Sequence, residues 1–375
     1  MTGDKQTQKS GNNSQMIQAN NIVINQGITE KRAREICTEM YELNKKELTQ
    51  EAFACAEERV QKFENSLMDK ILKIEGAINS FSDPAFQLLL SSAQRTAVAS
   101  EREQDYDMLS ELLVCHIKEG KSRKTRAGIS KAVEIVDKID NDALCALTVV
   151  YTIQRFIPLA ATSKQGIITL AGLFQKLMYM ELPSDDGWIE HLEILDAVRI
   201  QYFSGFSSLE SDLARILSGY TCAGIKKDSD EYMKAIDLLR SIGLNSSFLV
   251  NNDFMPEYVK IPVVNKENIK NSEIIKQVSY YGQILTIPKS LSEAEIYVFK
   301  SIFDLYTKDN SVNNKSLDAF MKEYDQYQSL KKLHIWRNKL CSLPYIFNIT
   351  QIGMVLAHTN ARRCDSNLPE LPLTM

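Results

Sequence analysis

An all-α fold is what this sequence predicts: a multi-helix array with a short N-terminal β-ribbon and a small C-terminal helical, winged-helix-like domain. Three observations carry it. The 375 residues hold only 15 Gly and 9 Pro, which leaves few turns and favours long helices over short strands. Apolar residues recur at steps of three and four from Thr29 to about Gly243, the period of a half-buried helix. The first 27 residues break that period and are rich in Asn and Gln. At roughly 100–200 residues per domain, the length predicts two or three domains.

In order, residues 1–28 form a polar, β-prone segment with two apolar clusters, Met16-Ile17 and Ile22-Val23-Ile24, around a turn at Ala19-Asn20-Asn21. Alone, such a ribbon buries too little surface to offset chain entropy. Asn and Gln amides both donate and accept, so copies side by side satisfy one another, and Met16, Ile17, Ile22, Val23 and Ile24 are the predicted oligomerisation residues. The same composition also fits a polar tail.

A helical domain over 29–244 follows. Thr29 caps its first helix, with Ala33, Ile36, Cys37 and Met40 on one face. Thr49 opens the longest predicted helix, whose stripe from Ala52 through Phe63, Leu67 and Ile71 to Phe81 ends at Asp83-Pro84. That stripe packs either on another helix of the chain or as a coiled-coil seam between protomers. Further helices are expected over 85–99, 104–119, 124–138, 141–157, 163–181, 187–204, 208–222 and 229–242. Residues 245–290 read as an irregular extended connector holding one small ribbon at most. Ser290 and Glu293 have capping-box spacing. They open the C-terminal domain, 291–363, with helices near 291–307, 315–328 and 329–341, an extended Leu343–Ile349 and a capped helix from Thr350. Residues 364–375 read as a flexible tail.

Charge and cysteine usage narrow the function. Lys and Arg number 44 against 48 Asp and Glu, an acidic balance that argues against a dedicated nucleic-acid binder. Seven cysteines without a Cys-x-x-Cys pair predict buried free thiols in a reducing compartment. The longest uncharged stretch of the apolar region, Ala143 to Gln154, is shorter than the roughly 18–20 residues of a bilayer span, and the first residues lack a signal-peptide core. A cytoplasmic protein is the expectation.

Catalytic motifs are missing: there is no phosphate loop, dinucleotide-binding turn, nucleophile elbow or His-Glu-x-x-His pair. His116, His191, His334 and His358 fall on four predicted helices. Cys115 and His116 point about 100° apart and cannot form a dyad. Asp137, Asp140 and Asp142, like Asp185 and Asp186, sit where helices begin and read as caps. Glu193 and Asp196, three apart, could hold a cation, although a solvated face explains them as well. Lys121, Arg123, Lys124 and Arg126, ahead of a helix N-terminus, are the candidate phosphate-binding residues. A merely solvated basic loop accounts for them too. No cofactor and no metal site is predicted.

Gly11-Asn-Asn-Ser with Ile17-Gln-Ala, then Ile22-x-Ile24 and Gly27-Ile-Thr, resembles the entry segment of an uncharacterised family of bacterial helical proteins. Asp83-Pro-Ala-Phe-Gln-Leu and Asn348-Ile-Thr-Gln-Ile-Gly-Met-Val-Leu-Ala resemble it too, and are similar to stretches of alpha-type abortive-infection proteins. The resemblance implies a bacterial protein of the antiviral-defence repertoire and carries over no active-site residue. The sequence thus predicts a non-enzymatic, self-assembling sensor or interaction module, with itself and another protein as partners. The alternative is a hydrolase, a nuclease or other phosphoester-cleaving enzyme, without a local motif.

Overall fold

The computed structural model describes residues 28–44, 50–120, 122–280 and 283–371. The oligomerisation residues Met16, Ile17, Ile22, Val23 and Ile24 lie outside that range, as does Lys121.

Helix dominates, as the spacing predicts. The main core is built by α1 (Glu30–Asn44), α2 (Gln50–Ile71), α3 (Pro84–Ala99), α4 (Glu103–Glu119), α5 (Arg123–Ile135), α6 (Asn141–Arg155) and the late helix α15 (Gln351–Cys364). Helix α6 is buried at every position from Ala143 to Ile153, as expected of a helix apolar all round. It lies against α15, which also packs on α4 and α5. Both internal stretches that carry the family resemblance are capping devices. The Asp83 carboxylate accepts from the Ala85 N–H at 3.1 Å to start α3, and the Thr350 hydroxyl accepts from the Gly353 N–H at 3.2 Å to start α15.

Four expectations are corrected. The long helix stops at Ile71 instead of reaching Asp83, because Gly76 takes a left-handed φ of 72° and a 3-10 turn follows over Ala77–Ser82. The stripe survives that break, since Leu67, Ile71 and Phe81 are fully buried. It packs within the chain, on α3 and α4. The helix expected over 187–204 ends early, as α8 (Gly187–Ile194). Asp196 then reverses the chain at φ 58°, and β1 (Val198–Gln201) pairs antiparallel with β7 (Ile346–Ile349) in register Val198↔Ile349 to Gln201↔Ile346. The wing anticipated within 291–363 therefore does not form from that stretch alone: its strand takes a partner from the middle of the chain. Finally, the expected tail is docked as far as Leu371, which is buried in the main core, with Asp365 paired to Lys176 at 2.8 Å and Glu370 to Lys118.

Residues 245–290 are more ordered than a connector. A three-stranded sheet joins β2 (Ile225–Lys226), β4 (Tyr258–Lys260) and β3 (Val250–Asn251). A hairpin of β5 (Glu273–Tyr280) and β6 (Gln283–Ser290) follows, in register Glu273↔Ser290 to Tyr280↔Gln283. With α11 (Asp230–Ser241) and α12 (Glu293–Asp304) the small sheet encloses a second core that includes Leu239, Val259, Ile261, Phe299 and Ile302. The capping box of α12 sits two residues later than its spacing suggested, on Ser292 and Glu295. Five further helices among the described residues add side chains to the main core: α7 (Ser163–Leu177), α9 (Leu209–Ile216), α10 (Ser218–Thr221) and, towards the C-terminus, α13 (Asn310–Tyr324) and α14 (Gln328–Lys339).

Candidate functional site

Helices α7 and α14 pack together although some 160 residues separate them in sequence. The Ser329 hydroxyl donates to the Ala171 carbonyl at 3.0 Å, and the Trp336 indole N–H donates to the Pro183 carbonyl at 2.9 Å. Their contact leaves a groove of about 960 Å³, continued by the segment from Met178 to Leu182. Ile168, Ala171 and Gly172 line it from α7, Ile335 and Trp336 from α14, and Met178 and Met180 from the connecting segment. Polar groups come from Gln175, Glu181, Lys332 and Lys339, with Gln328, Ser329 and the Tyr179 and Tyr327 hydroxyls besides, and Lys332 reaches Glu181 at 3.6 Å.

The burial pattern explains why both walls of the groove carry exposed apolar side chains. Each helix points one stripe into the core (Ile167, Leu170 and Phe174 on α7; Leu330, Leu333 and Trp336 on α14) and carries an isoleucine off that stripe. Those two, Ile168 and Ile335, are each 54% exposed. Gly172 is the more unusual lining residue. Glycine within a helix costs about 1 kcal/mol relative to alanine, yet a Cβ on Gly172 would meet no described atom within 4 Å. Internal packing gives no reason for it. Elsewhere in the fold the reason is plain: a Cβ on Gly166 would strike the Tyr220 ring, and one on Gly353 the Ala197 carbonyl.

Helix α14 also carries His334, the centre of a cluster of titratable groups. His334 sits between two carboxylates, Nδ1 at 2.8 Å from Asp325 at the end of α13 and Nε2 at 2.7 Å from Glu210 in the first turn of α9. Burial pulls the imidazole down, but the hydrogen bonds and charges of the two carboxylates outweigh it and raise it above its ordinary value. Burial likewise pushes Glu210 up, whereas its own backbone N–H, His334 and Ser208 together hold it at about 2. Next along α14, Arg337 is buried over the Phe206 ring at 4.8 Å and pairs with Asp212 of α9 at 2.8 Å. Both nitrogens of His334 are engaged, so the ring has no free position from which to act as a general base.

The sequence-predicted site residues are not gathered into one place. Arg123 and Lys124 are exposed at the start of α5 and Arg126 is half-buried beside Gly120, while Lys131 pairs with Glu134 at 2.7 Å. Cys115 is no nucleophile: burial, with Glu119 adding to it, pushes its thiol up to about 12. The neighbouring His116 ring lies against Phe86 instead, 6.2 Å between centroids. Glu193 accepts from the Ile200 N–H at 2.8 Å and Asp196 pairs with Arg199 at 2.7 Å, so both serve the turn into β1 and form no joint cation site. The reading of the aspartates as caps is only partly met: the N-cap residues Asp140 and Asp186 make no side-chain cap bond, and Asp186 accepts from the Tyr345 hydroxyl at 2.8 Å. Asp142 accepts from the adjacent Ala143 N–H at 2.7 Å, and Asp185 accepts from the Gly187 N–H at 3.0 Å. The cysteines are unpaired; Cys37 and Cys145 are buried as expected, but Cys55 is exposed. Among the described residues no group of three or more His, Cys, Asp or Glu is placed to hold a metal ion, and no helix is long and apolar enough to cross a membrane.

One protein-family model matches residues 27–369. No curated protein and no solved structure matches the chain.

Proposed function

The chain belongs to the uncharacterised family whose model spans residues 27–369, and from the α7–α14 groove we propose that it acts as a non-enzymatic interaction module. The groove takes an amphipathic helix of a protein partner. Helix-in-groove recognition needs an apolar trough, adaptable side chains and a polar rim, and Ile168, Ile335, Met178 and Met180 between Lys332, Lys339 and Glu181 provide them. The observation that carries the reading is Gly172, a helix-interior glycine whose open face lets a partner backbone approach α7 closely. Lysines 332 and 339 on the rim favour a partner helix with acidic flanks. Self-assembly through residues 1–28 and a place in bacterial antiviral defence complete the proposal; the first is supported by the Asn/Gln-rich, β-branched composition and the second by the family resemblance.

The test is a photo-cross-linking residue placed at Ile168 and, as a control on an exposed face away from the groove, at Leu88. Discrete cross-linked products with a partner are expected at Ile168 and not at Leu88. Equal, diffuse labelling from both positions would overturn the proposal.

A further inference from the structure

The His334 cluster has a chemistry that the groove alone does not use. A neutral imidazole has one N–H and one lone pair, so it can donate to a single acceptor. His334 is within hydrogen-bond distance of carboxylates at both nitrogens, 2.8 Å from Asp325 and 2.7 Å from Glu210. Only the imidazolium donates to both. The three groups come from three helices, α13, α9 and α14, so the proton joins elements rather than neighbours in sequence. Glu210 also accepts from the Asn338 amide at 3.2 and 3.3 Å, and the Tyr324 ring of α13 meets the imidazole edge-on at 6.5 Å. Three residues along, Arg337 ties α14 to Asp212 at 2.8 Å, and Arg215 also approaches that carboxylate at 3.6 Å. On the opposite side of α14, Lys332 and Glu181 face the groove and not His334.

We propose that His334 is a proton-operated clamp on α14: protonated, it holds the helix against α9 and α13; deprotonated, it leaves one carboxylate facing a lone pair and lets the helix shift. Because Ile335 and Trp336 follow His334 directly and line the groove, the clamp sets the position of the groove wall. Its consequence for partner binding rests on the proposed function; the clamp itself does not. The protonated form is the closed one, so the groove wall loosens as pH rises through the titration of His334. Arg337 and Asp212 keep α14 attached in the open state, so the device shifts a helix without unfolding the junction.

Two readouts on the full chain test this without any partner. The chain has four histidines, so ring resonances of isotope-labelled histidine can be followed individually, with His334 assigned from its loss in His334→Gln. Its midpoint is expected above the ordinary imidazole value of about 6.5, and to fall by about one unit or more in Glu210→Gln, where one opposite charge is gone. The second readout is the emission of Trp336 in a Trp188→Phe background, since the chain has two tryptophans. It is expected to move with the same midpoint in the otherwise native chain, and to be flat across that range in His334→Gln. Glu210→Gln keeps the test decisive if His334→Gln fails to fold. A His334 midpoint at or below the ordinary value, or Trp336 emission that ignores the His334 titration, overturns the clamp. Either result leaves the cross-linking test of the groove standing on its own.

Discussion

Replacing glycine by alanine at two helical positions should give opposite results, and the difference follows from the backbone around them. At Gly353, in the first turn of α15, a Cβ would lie 2.9 Å from the carbonyl carbon of Ala197, closer still to its oxygen, and 2.9 Å from Ile349 Cγ2. Neither backbone can give way freely. The same Ala197 oxygen accepts from the Thr350 N–H at 3.0 Å and from the Thr350 hydroxyl at 3.1 Å, the bonds that fix the β7–α15 corner. Forcing an extra methyl into a packed site costs about 1–3 kcal/mol, and each hydrogen bond strained in the process is worth about 0.5–1.5 kcal/mol. Alanine recovers about 1 kcal/mol in helix propensity, which leaves Gly353→Ala destabilised by about 2 kcal/mol. At Gly172 the propensity gain meets no steric opposition, so Gly172→Ala should be stabilised by about 0.5–1 kcal/mol. Urea unfolding monitored by circular dichroism reads both: the midpoint moves down for the first variant and up for the second, with unchanged slope. Equal midpoints would refute the reasoning, because the two substitutions are chemically identical and differ only in what surrounds them.

Three further outcomes are expected. Leu67→Asp places an unpaired charge at a position with no exposure in the main core and should lose several kcal/mol; a wild-type melting temperature would show that α2 does not pack on α3 and α4 as described. Ile22→Asp with Ile24→Asp should lower the mass measured by light scattering while leaving helical content nearly intact, and an unchanged mass would mean that residues 1–28 do not mediate assembly. If Arg123, Lys124 and Arg126 contact phosphate, low-salt binding to nucleic acid should fall steeply as salt is added and weaken further in Arg123→Ala/Lys124→Ala; absence of binding at low salt would remove that role.

The helices were legible in the sequence wherever burial follows one stripe. Helix α6 announces itself by an apolar run, α3 by the Asp83-Pro84 break that precedes it, and α15 by Thr350 at its cap. The stripe of α2 was read correctly, but not its end, because the 3-10 turn after Gly76 keeps Phe81 on the same face and so preserves the period. Strand β1 was hidden for a different reason. Val198-Arg-Ile-Gln alternates over too few residues to compete with the preceding helical pattern, and its partner β7 is about 150 residues away. The site suffers from the same non-locality. No spacing rule connects Glu210, Asp325 and His334, or brings Gly172 opposite Ile335. The visible signals were two isoleucines off their helices' stripes and a glycine in mid-helix, each unremarkable alone.

The groove reading stands or falls on whether a partner occupies the space above Gly172. A tryptophan at that position fills the trough and strikes no described atom at its Cβ, so Gly172→Trp should fold normally. The decisive measurement is the yield of the Ile168 cross-link in the Gly172→Trp chain, alongside its melting temperature. The account predicts that the cross-link disappears while melting stays within a few degrees of wild type. An undiminished cross-link in a folded Gly172→Trp protein would contradict it.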